Sequence, residues 1–345
     1  MAAWPLGAWA QQSTANKPVV TLINARKADA AKALATEFRK GLSQTGLTEG
    51  NDVIVEYHWL DGQYEKLAAI LNDAISRQVA VIATPANTPG SLAAKAATST
   101  IPVVFGVSED PVGLGLVASL ARPGGNVTGI NFFDTEVDAK RLGLMHELLP
   151  KAKRMAVLVN PANAKTADAT AQALRAAASS LGLELLFFKA STAAEIDAAF
   201  AAIVDAKADA VFIAPDGYFA SRGPQLAALA TRDGMPTSHF VYDAVVAGLL
   251  MSYGTNIPDV FRQAGVYTGS IIKGTRPADL PVLQPTKFEF ALNLQTARSL
   301  GIDVPPILLA RADEVIEREL IYLLRRFVSL WPWTSSAARQ HYVCN

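Results

Sequence analysis

The sequence predicts an α/β protein made of two similar lobes, each built on a doubly wound parallel sheet. Three observations carry this prediction. The chain contains an internal repeat, short apolar runs alternate with Ala-rich segments of helical period, and 345 residues suffice for two domains of roughly 120 to 150 residues. An apolar run of strand length followed by a helical segment is typical of a βαβ unit, whose parallel sheet is buried on both faces.

The internal repeat relates the two halves of the chain. The string AVIATP at residues 80–85 returns as AVFIAP at residues 210–215, and both are followed by a Leu-Ala-Ala run. Upstream, VTLIN at 20–24 matches AVLVN at 156–160. In open α/β sheets the ligand site lies outside the carboxyl ends of the strands, so two similar lobes that face each other place a site in the cleft between them.

The first half predicts five strands and four helices in alternation. Pro123 and the two glycines after it end the last helix, because they cannot continue it. The strands are predicted over residues 19–23, 53–58, 80–83, 103–105 and 127–130, and the helices over 28–44, 63–77, 91–98 and 114–121.

An amphipathic helix predicted over residues 135–149 leads into the second half and ends at Pro150. Apolar runs bounded by turn-forming residues again indicate strands of a parallel sheet. These strands are predicted over residues 155–159, 183–189, 210–214, 237–241 and 249–252.

Both repeats are complete at Gly254, yet a helix over 259–273 and a strand with a helix over 288–300 remain. Such remaining segments usually pass back from one lobe to the other, so we predict that three crossovers join the lobes. Three crossovers form a hinge that favours closure of the lobes. Lobe one then holds residues 18–131 and about 255–281, and lobe two holds residues 132–254 and about 282–317.

The composition argues against several classes of partner. Lys plus Arg equals Asp plus Glu at 31 each, and no basic cluster is present, so we expect no nucleic acid partner. The single cysteine, Cys344, excludes a disulfide within the chain and a cysteine metal cluster. The four histidines are scattered, so we expect no metal site.

Motifs of enzymes are weak or missing. The string GLGLVA at residues 113–118 matches a dinucleotide fingerprint by letter, but it follows the fourth predicted strand after a long loop. The sequence has no Gly-x-Ser-x-Gly elbow and no P-loop. We therefore predict no catalysis and no cofactor.

Both termini depart from the α/β pattern. Residues 2–7 are apolar, and Ala8-Trp9-Ala10 fits the small-x-small rule for signal-peptidase cleavage, so we read residues 1–17 as a truncated signal-peptide remnant with a leader. A frayed tail with accidental alanines is the alternative. Residues 318–345 are an atypical tail, either extraneous or a short amphipathic helix that packs on a lobe or a membrane surface.

The string IPVVFGVSEDPV at residues 101–112, continued by LVASLARPGGNVTG at 116–129, resembles the solute-binding proteins of ABC transporters. The particular group is the tryptophan/tyrosine type, and further matches include SYG at 252–254 and LARADEV at 309–315. The resemblance covers about residues 18–317.

This resemblance implies a type I periplasmic binding fold that holds a small-molecule ligand in the cleft without catalysis. It also implies an export signal, a periplasmic location, and delivery of the ligand to a membrane permease driven by an ATPase. We expect the protein to be a monomer.

Polar residues after the predicted strands are the candidates for ligand contact. Thr88 to Ser91 start a helix, where free N–H groups attract a ligand carboxylate, or they form an ordinary cap. Asp216 in the facing loop pairs with a ligand ammonium, or it is a turn residue before Gly217, and Asp110 is a weaker rival. The candidate set is Asn24, Thr84, Asn87, Thr88, Ser91, Ser108, Asp110, Asn160, Asp216, Tyr218 and Tyr253.

Aromatic residues at strand ends have two interpretations. They form a wall for an apolar or aromatic ligand, or they belong to the core; the residues are Tyr218, Phe219, Phe240 and Tyr253.

From the fold, the resemblance and these candidate residues, we predict the exported solute-binding component of an ABC importer. Its expected ligand is a small carboxylate or an amino-acid-like compound, which is aromatic only if the aromatic residues form the wall. The alternatives are a cytoplasmic ligand-sensing module, disfavoured because no helix-turn-helix precedes Pro18, and a small-molecule α/β enzyme of the same fold.

Overall fold

The computed structural model describes residues 17–132, 134–285 and 287–317. The predicted signal remnant, apart from residue 17, and the predicted tail lie outside this part of the chain. Within it, no helix combines the length and apolar character that a bilayer span requires.

Lobe one is organised by a five-stranded parallel sheet. All residues of β3 and β4 are buried, which explains why they read in the sequence as nearly unbroken apolar runs. The strands are β1 (Val19–Asn24), β2 (Ile54–Trp59), β3 (Val81–Thr84), β4 (Val103–Val107) and β5 (Val127–Asn131), in the order β2-β1-β3-β4-β5. The helices between them are α1 (Lys32–Gln44), α2 (Leu67–Ser76) and α3 (Thr88–Ala97).

Lobe two holds a seven-stranded sheet, in which β11 runs antiparallel to β10 and the other neighbours are parallel. Its strands are β6 (Arg154–Val159), β7 (Glu184–Lys189), β8 (Ala210–Ile213), β9 (Thr237–His239), β10 (Met251–Thr255), β11 (Phe288–Asn293) and β12 (Glu314–Ile316), in the order β12-β11-β10-β9-β8-β6-β7. The later helices are α4 (Asp134–Leu148), α5 (Ala164–Leu181), α6 (Ala193–Asp205), α7 (Gly217–Ala220), α8 (Gly223–Arg232), α9 (Tyr242–Val246), α10 (Ile257–Ile272), α11 (Leu294–Ser299) and α12 (Pro306–Arg311).

The chain passes between the lobes three times, as predicted. The first crossover joins β5 to α4, and the second joins β10 to α10, which packs on α1 of lobe one. The third follows Leu283, which still pairs with Ile130 of β5, and leads to β11 in lobe two. Lobe one therefore extends slightly beyond the predicted boundary near residue 281.

Glycines let α10 approach α1 closely. A Cβ atom on Gly265 would lie 2.1 Å from the carbonyl oxygen of Phe38, and one on Gly41 would lie 1.9 Å from that of Arg262. Because any side chain at either position would collide with backbone, this crossing requires glycine. It anchors the returning helix to lobe one.

The helix predicted over residues 114–121 is wrong. Gly115 has a left-handed φ of +73°, and the Leu116 N–H donates to the Pro111 carbonyl, so the segment forms a series of turns. Leu116 and Val117 are nevertheless buried in the core of lobe one. Their apolar character reflects this burial and not a helical face.

Candidate ligand site between the lobes

A cavity between the lobes is lined by segments that follow the carboxyl ends of strands in both sheets. The residues that line it surround about 390 Å³ of space free of protein atoms, a volume that includes open solvent. Ligand sites of open α/β sheets typically lie at this edge of the sheet. Lobe one contributes Arg26, Ala86, Thr88, Ser108 and Phe132, lobe two contributes Asn163, Thr166, Pro215, Asp216, Gly217 and Phe240, and the second crossover contributes Ile257.

Arg26 places a positive charge in the cavity, although the residue is only 3% exposed. Asn24 at the end of β1 shapes its turn, because the Asn24 Oδ1 accepts from the Arg26 N–H at 3.0 Å while the Nδ2 donates to the Pro85 carbonyl at 2.6 Å. Burial lowers the pKa of Arg26 to about 10, and the carboxylates of Asp243 and Asp216 oppose this shift. Arg26 therefore remains charged at neutral pH and favours an anionic ligand group.

Asp216 lies on the lobe-two side of the same cavity and is also buried. Its Oδ1 accepts from the backbone N–H groups of Tyr218 at 2.9 Å and Phe219 at 3.4 Å, so it is the N-cap of α7. Asp216 is therefore a turn residue before Gly217, which was one of its two predicted roles. The residue also lines the cavity.

Three further side chains donate to Asp216. They are Asn160 at 3.0 Å, Asn163 at 3.1 Å and, from lobe one, the Tyr64 hydroxyl at 3.2 Å. Burial raises the pKa of Asp216, and the two asparagine hydrogen bonds oppose that shift. Burial and the Asp216 carboxylate together raise the pKa of Tyr64 well above its usual value. The Tyr64 hydroxyl therefore keeps its proton and remains a donor across the cleft.

A second buried carboxylate, Glu109, also joins the lobes. The Thr88 hydroxyl of lobe one donates to its Oε2 at 2.8 Å, and the Thr166 hydroxyl of lobe two donates to its Oε1. Thr88 was predicted to anchor a ligand carboxylate. Its side chain does line the cavity, but its hydroxyl is directed to Glu109, and the cap of α3 is the Asn87 side chain.

Several predicted residues lie beneath the cavity wall and support it. The hydroxyls of Thr84 and Ser91 are 2.9 Å apart, and both residues are fully buried. Asn160 accepts from the Ala162 N–H and donates to Asp216. These side chains, like Asn24 and Asn87, shape the loops, whereas Thr88, Ser108 and Asp216 reach the cavity itself.

Asp110 is not brought to the cavity. The residue is exposed, and its carboxylate accepts from the N–H groups of Val112 and Gly113 at 3.0 and 3.1 Å. Asp110 thus closes its own turn, and Asp216 is the carboxylate that lines the cavity within the described part of the chain.

The predicted tyrosines, Tyr218 and Tyr253, do not form the aromatic wall of the cavity. Tyr218 packs beside the cavity with its ring under the Arg222 guanidinium. Tyr253 lies in a separate surface groove of lobe two, where it stacks on Phe288 and meets Phe290 edge-on. Neither tyrosine is among the residues that line the cavity.

The apolar lining comes from Phe132, Phe240 and Ile257 together with Ala86 and Pro215. Phe240 was among the predicted wall residues, whereas Phe132 and Ile257 follow strands at the crossovers and were missed. Position is the signal that could have identified them, since each comes just after the carboxyl end of a strand. Phe219, the remaining candidate, is fully buried in the core.

Arg26 was also missed as a site residue. Arg26 lies two positions after the predicted candidate Asn24, and it is the charged residue nearest the end of the first strand. Asn163 and Thr166 carry a weaker signal, because they flank the start of α5 and reach the cavity through its first turn.

A buried ion pair in lobe two lies between α4 and the sheet. Arg141, fully buried, donates to Asp138 and to the Ile213 carbonyl, both at 3.0 Å, and its guanidinium stacks 3.9 Å from the centre of the Phe212 ring. Thr170 donates to the other oxygen of Asp138 at 2.7 Å. Burial raises the pKa of Asp138, and the charge of Arg141 opposes this shift.

Asp216→Asn is expected to destabilise the protein by about 1 to 3 kcal/mol, because the new amide group would face the donors Asn163 and Tyr64. Thermal unfolding should show a fall in Tm of roughly 2 to 10 °C. The matched control is Asp110→Asn, which alters an exposed aspartate that also accepts from two backbone N–H groups. Equal melting of the two variants would contradict the stabilising role of the buried Asp216 carboxylate.

Two α/β lobes joined by three crossovers, with a cavity at the facing carboxyl ends of their strands, define a binding protein of the type I periplasmic fold. The chain belongs to the family of ABC transporter substrate binding proteins, whose profile matches residues 19–316. The predicted family is thereby confirmed. Membership implies a small-molecule substrate and a transporter partner, and it points against enzymatic activity.

Known proteins are similar to this chain over most of its length. A tyrosine-binding protein from Clostridioides difficile (strain R20291) is 27% identical over 265 residues, which cover 77% of this chain and 75% of that protein. The crystal structure of a conserved domain protein from Vibrio cholerae has a TM-score of 0.79 at 28% identity, covering 87% of this chain and 100% of that one.

A second similar structure is an ABC domain in complex with L-Trp from Streptococcus pneumoniae. It has a TM-score of 0.77 at 24% identity and covers 87% of this chain and 100% of that one. At this identity the likeness concerns the fold, which agrees with the two lobes described above.

Proposed function

We propose that this protein is the exported solute-binding component of an ABC importer and that it binds an amino acid with an aromatic or apolar side chain. The observation that carries the proposal is the pair Arg26 and Asp216, which are buried, opposite in charge, and line one cavity from opposite lobes. A zwitterion matches both charges at once and bridges the lobes.

The ligand carboxylate is assigned to Arg26. The sequence suggested Thr88 and Ser91 for this role, but their hydroxyls are engaged with Glu109 and Thr84 inside the protein. A guanidinium in a buried site forms charge-assisted hydrogen bonds worth about 1.5 to 3 kcal/mol each with a carboxylate.

The ligand ammonium is assigned to Asp216. Its carboxylate already accepts from side chains of both lobes, and the Tyr64 hydroxyl at 3.2 Å is the donor that belongs to lobe one. An ammonium can replace this donor with a stronger, charged one, while the cap of α7 stays in place.

The side chain of the ligand is assigned to the apolar part of the cavity, between Phe132, Phe240 and Ile257. Aromatic rings pair favourably with other rings in offset or edge-on geometry. The names of the relatives, a tyrosine-binding protein and a complex with L-Trp, support an aromatic amino acid.

Family membership supports delivery of this ligand to a permease with its ATPase, and the predicted signal remnant supports export to the periplasm. We expect a monomer, because one chain supplies both walls of the cavity. The two alternatives, a ligand-sensing module and an enzyme of this fold, would not require the transporter partner that family membership implies.

Isothermal titration calorimetry with L-tyrosine and L-tryptophan tests the proposal. We expect both amino acids to bind, and we expect tyramine, which lacks the carboxylate, and 3-(4-hydroxyphenyl)propionate, which lacks the ammonium, to bind about tenfold or more weakly than L-tyrosine. If either analogue binds as tightly as L-tyrosine, the zwitterion assignment is wrong.

A further inference from the structure

We propose that residues 216–222 of lobe two, which include the short helix α7, form a latch that holds the lobes closed through direct contacts between protein groups. Arg222 is its central positioning residue. The effect of the latch on binding rests on the proposed function of the cleft. Its effect on lobe closure does not, because the Arg222–Asp61 ion pair and the hydrogen bond from Lys27 to Ser221 involve no residue assigned to the ligand.

An ion pair crosses from the latch to lobe one. The Arg222 Nη2 lies 2.8 Å from the Asp61 Oδ1, and the side chains are 21% and 31% exposed. The same guanidinium lies 4.5 Å from the centre of the Tyr218 ring. Partial burial protects both contacts from screening, and the ring holds Arg222 in position for Asp61.

Two hydrogen bonds flank the ion pair. The Lys27 N–H of lobe one donates to the Ser221 Oγ at 2.9 Å, and the Tyr64 hydroxyl donates to Asp216 at 3.2 Å. Two separate loops of lobe one, after β1 and after β2, are thus joined to one short segment of lobe two.

Glycines allow the two surfaces to meet without a gap. A Cβ atom on Gly217 would lie 2.9 Å from the Ala25 Cβ, and one on Gly62 would lie 2.7 Å from the Tyr218 Cδ2. Neither contact leaves room for a methyl group, so the closed lobes touch at the latch in van der Waals contact.

The internal repeat shows that the latch is an addition to lobe two. Pro85 and Leu92 of the first repeat are seven positions apart, whereas Pro215 and Leu226 of the second are eleven apart. The second repeat is therefore four residues longer, and α7 is itself four residues long. The extra residues lie where the lobes meet.

A latch of this kind affects both the rate of ligand association and the overall affinity. Closed lobes restrict entry to the cavity, so a weaker latch should speed ligand association. The same change lowers the population of closed lobes, so it should also weaken the overall affinity. Faster association together with weaker affinity therefore identifies a latch. Loss of a direct ligand contact would instead raise the dissociation rate without making association faster.

Small-angle scattering on the protein, refolded from denaturant to remove bound molecules, tests closure without any ligand. Gly217→Val should act as a wedge at Ala25 and increase the radius of gyration relative to wild type. Gly217 does not have a left-handed φ, so the side chain adds no backbone strain. Gly217→Ala is the milder wedge if the valine variant does not fold. Identical scattering of wild type and a folded wedge variant would overturn the proposal.

Stopped-flow binding of L-tyrosine tests the second consequence. Arg222→Gln should speed association and weaken affinity, and the two factors together should amount to about five- to tenfold. Arg276→Gln, which removes an exposed ion pair with Asp279 inside lobe one, is the matched control and should change neither. Slower or unchanged association of Arg222→Gln would overturn the latch. Failure of L-tyrosine to bind wild type would contradict the proposed function alone, since the scattering result stands without it.

Discussion

Arg26→Gln is expected to weaken the binding of L-tyrosine by about 30-fold to 1,000-fold, the cost of removing one partner of a buried charge pair. The substitution leaves the ligand carboxylate without a cation in a site that excludes most water, and it leaves Asp216 and Asp243 without the charge that now balances them. Calorimetry measures the loss directly.

The matched control is Lys27→Gln, which removes the neighbouring cation from an exposed side chain while its backbone N–H still donates to Ser221. We expect affinity within about threefold of wild type, because exposed charges are screened. Tyramine has no carboxylate, so its weak binding should not fall further in Arg26→Gln. If tyramine and L-tyrosine lose the same factor, Arg26 acts on the site as a structural counter-ion and not as the carboxylate anchor.

Arg141→Met is expected to destabilise lobe two by about 3 to 5 kcal/mol, because it leaves the buried Asp138 carboxylate without its cation. The ring of Phe212 would still pack on the methionine, so the loss is mainly electrostatic. Thermal unfolding should show a fall in Tm of roughly 6 to 20 °C.

The double variant Asp138→Leu with Arg141→Met tests this interpretation. Replacement of both partners of a buried ion pair by apolar groups is often neutral, so the double variant should recover most of the stability lost in Arg141→Met. Arg276→Met, at the exposed pair with Asp279, should cost less than about 1 kcal/mol. A double variant as unstable as the single one would show that Arg141 acts through packing.

Much of the fold could be predicted because it depends on local patterns. The repeat predicted two lobes, and the segments left after Gly254 predicted the return crossovers through α10 and β11. The segment 114–121 failed because burial alone produced its apolar character, while Gly115 required a left-handed turn. The short α7 was missed, since four residues are too few to show a helical period.

The candidate site was predicted at the level of loops and less well at the level of side chains. Thr88, Ser108 and Asp216 reach the cavity, whereas Tyr253 belongs to another surface. The direction of a side chain at a strand end depends on the register of its strand and on the turn that follows, neither of which a single sequence reveals.

The amino-acid sequence by itself determined the two lobes, the position of the cleft and the family, because apolar periodicity, repeats and long motif strings are properties of the chain alone. The tertiary structure decided which groups share the cavity. Arg26 and Asp216 are 190 positions apart, and Asp61 and Arg222 are separated by 161. Such pairs exist only when the lobes are folded and closed, since the contacts depend on the packing of segments distant in the chain.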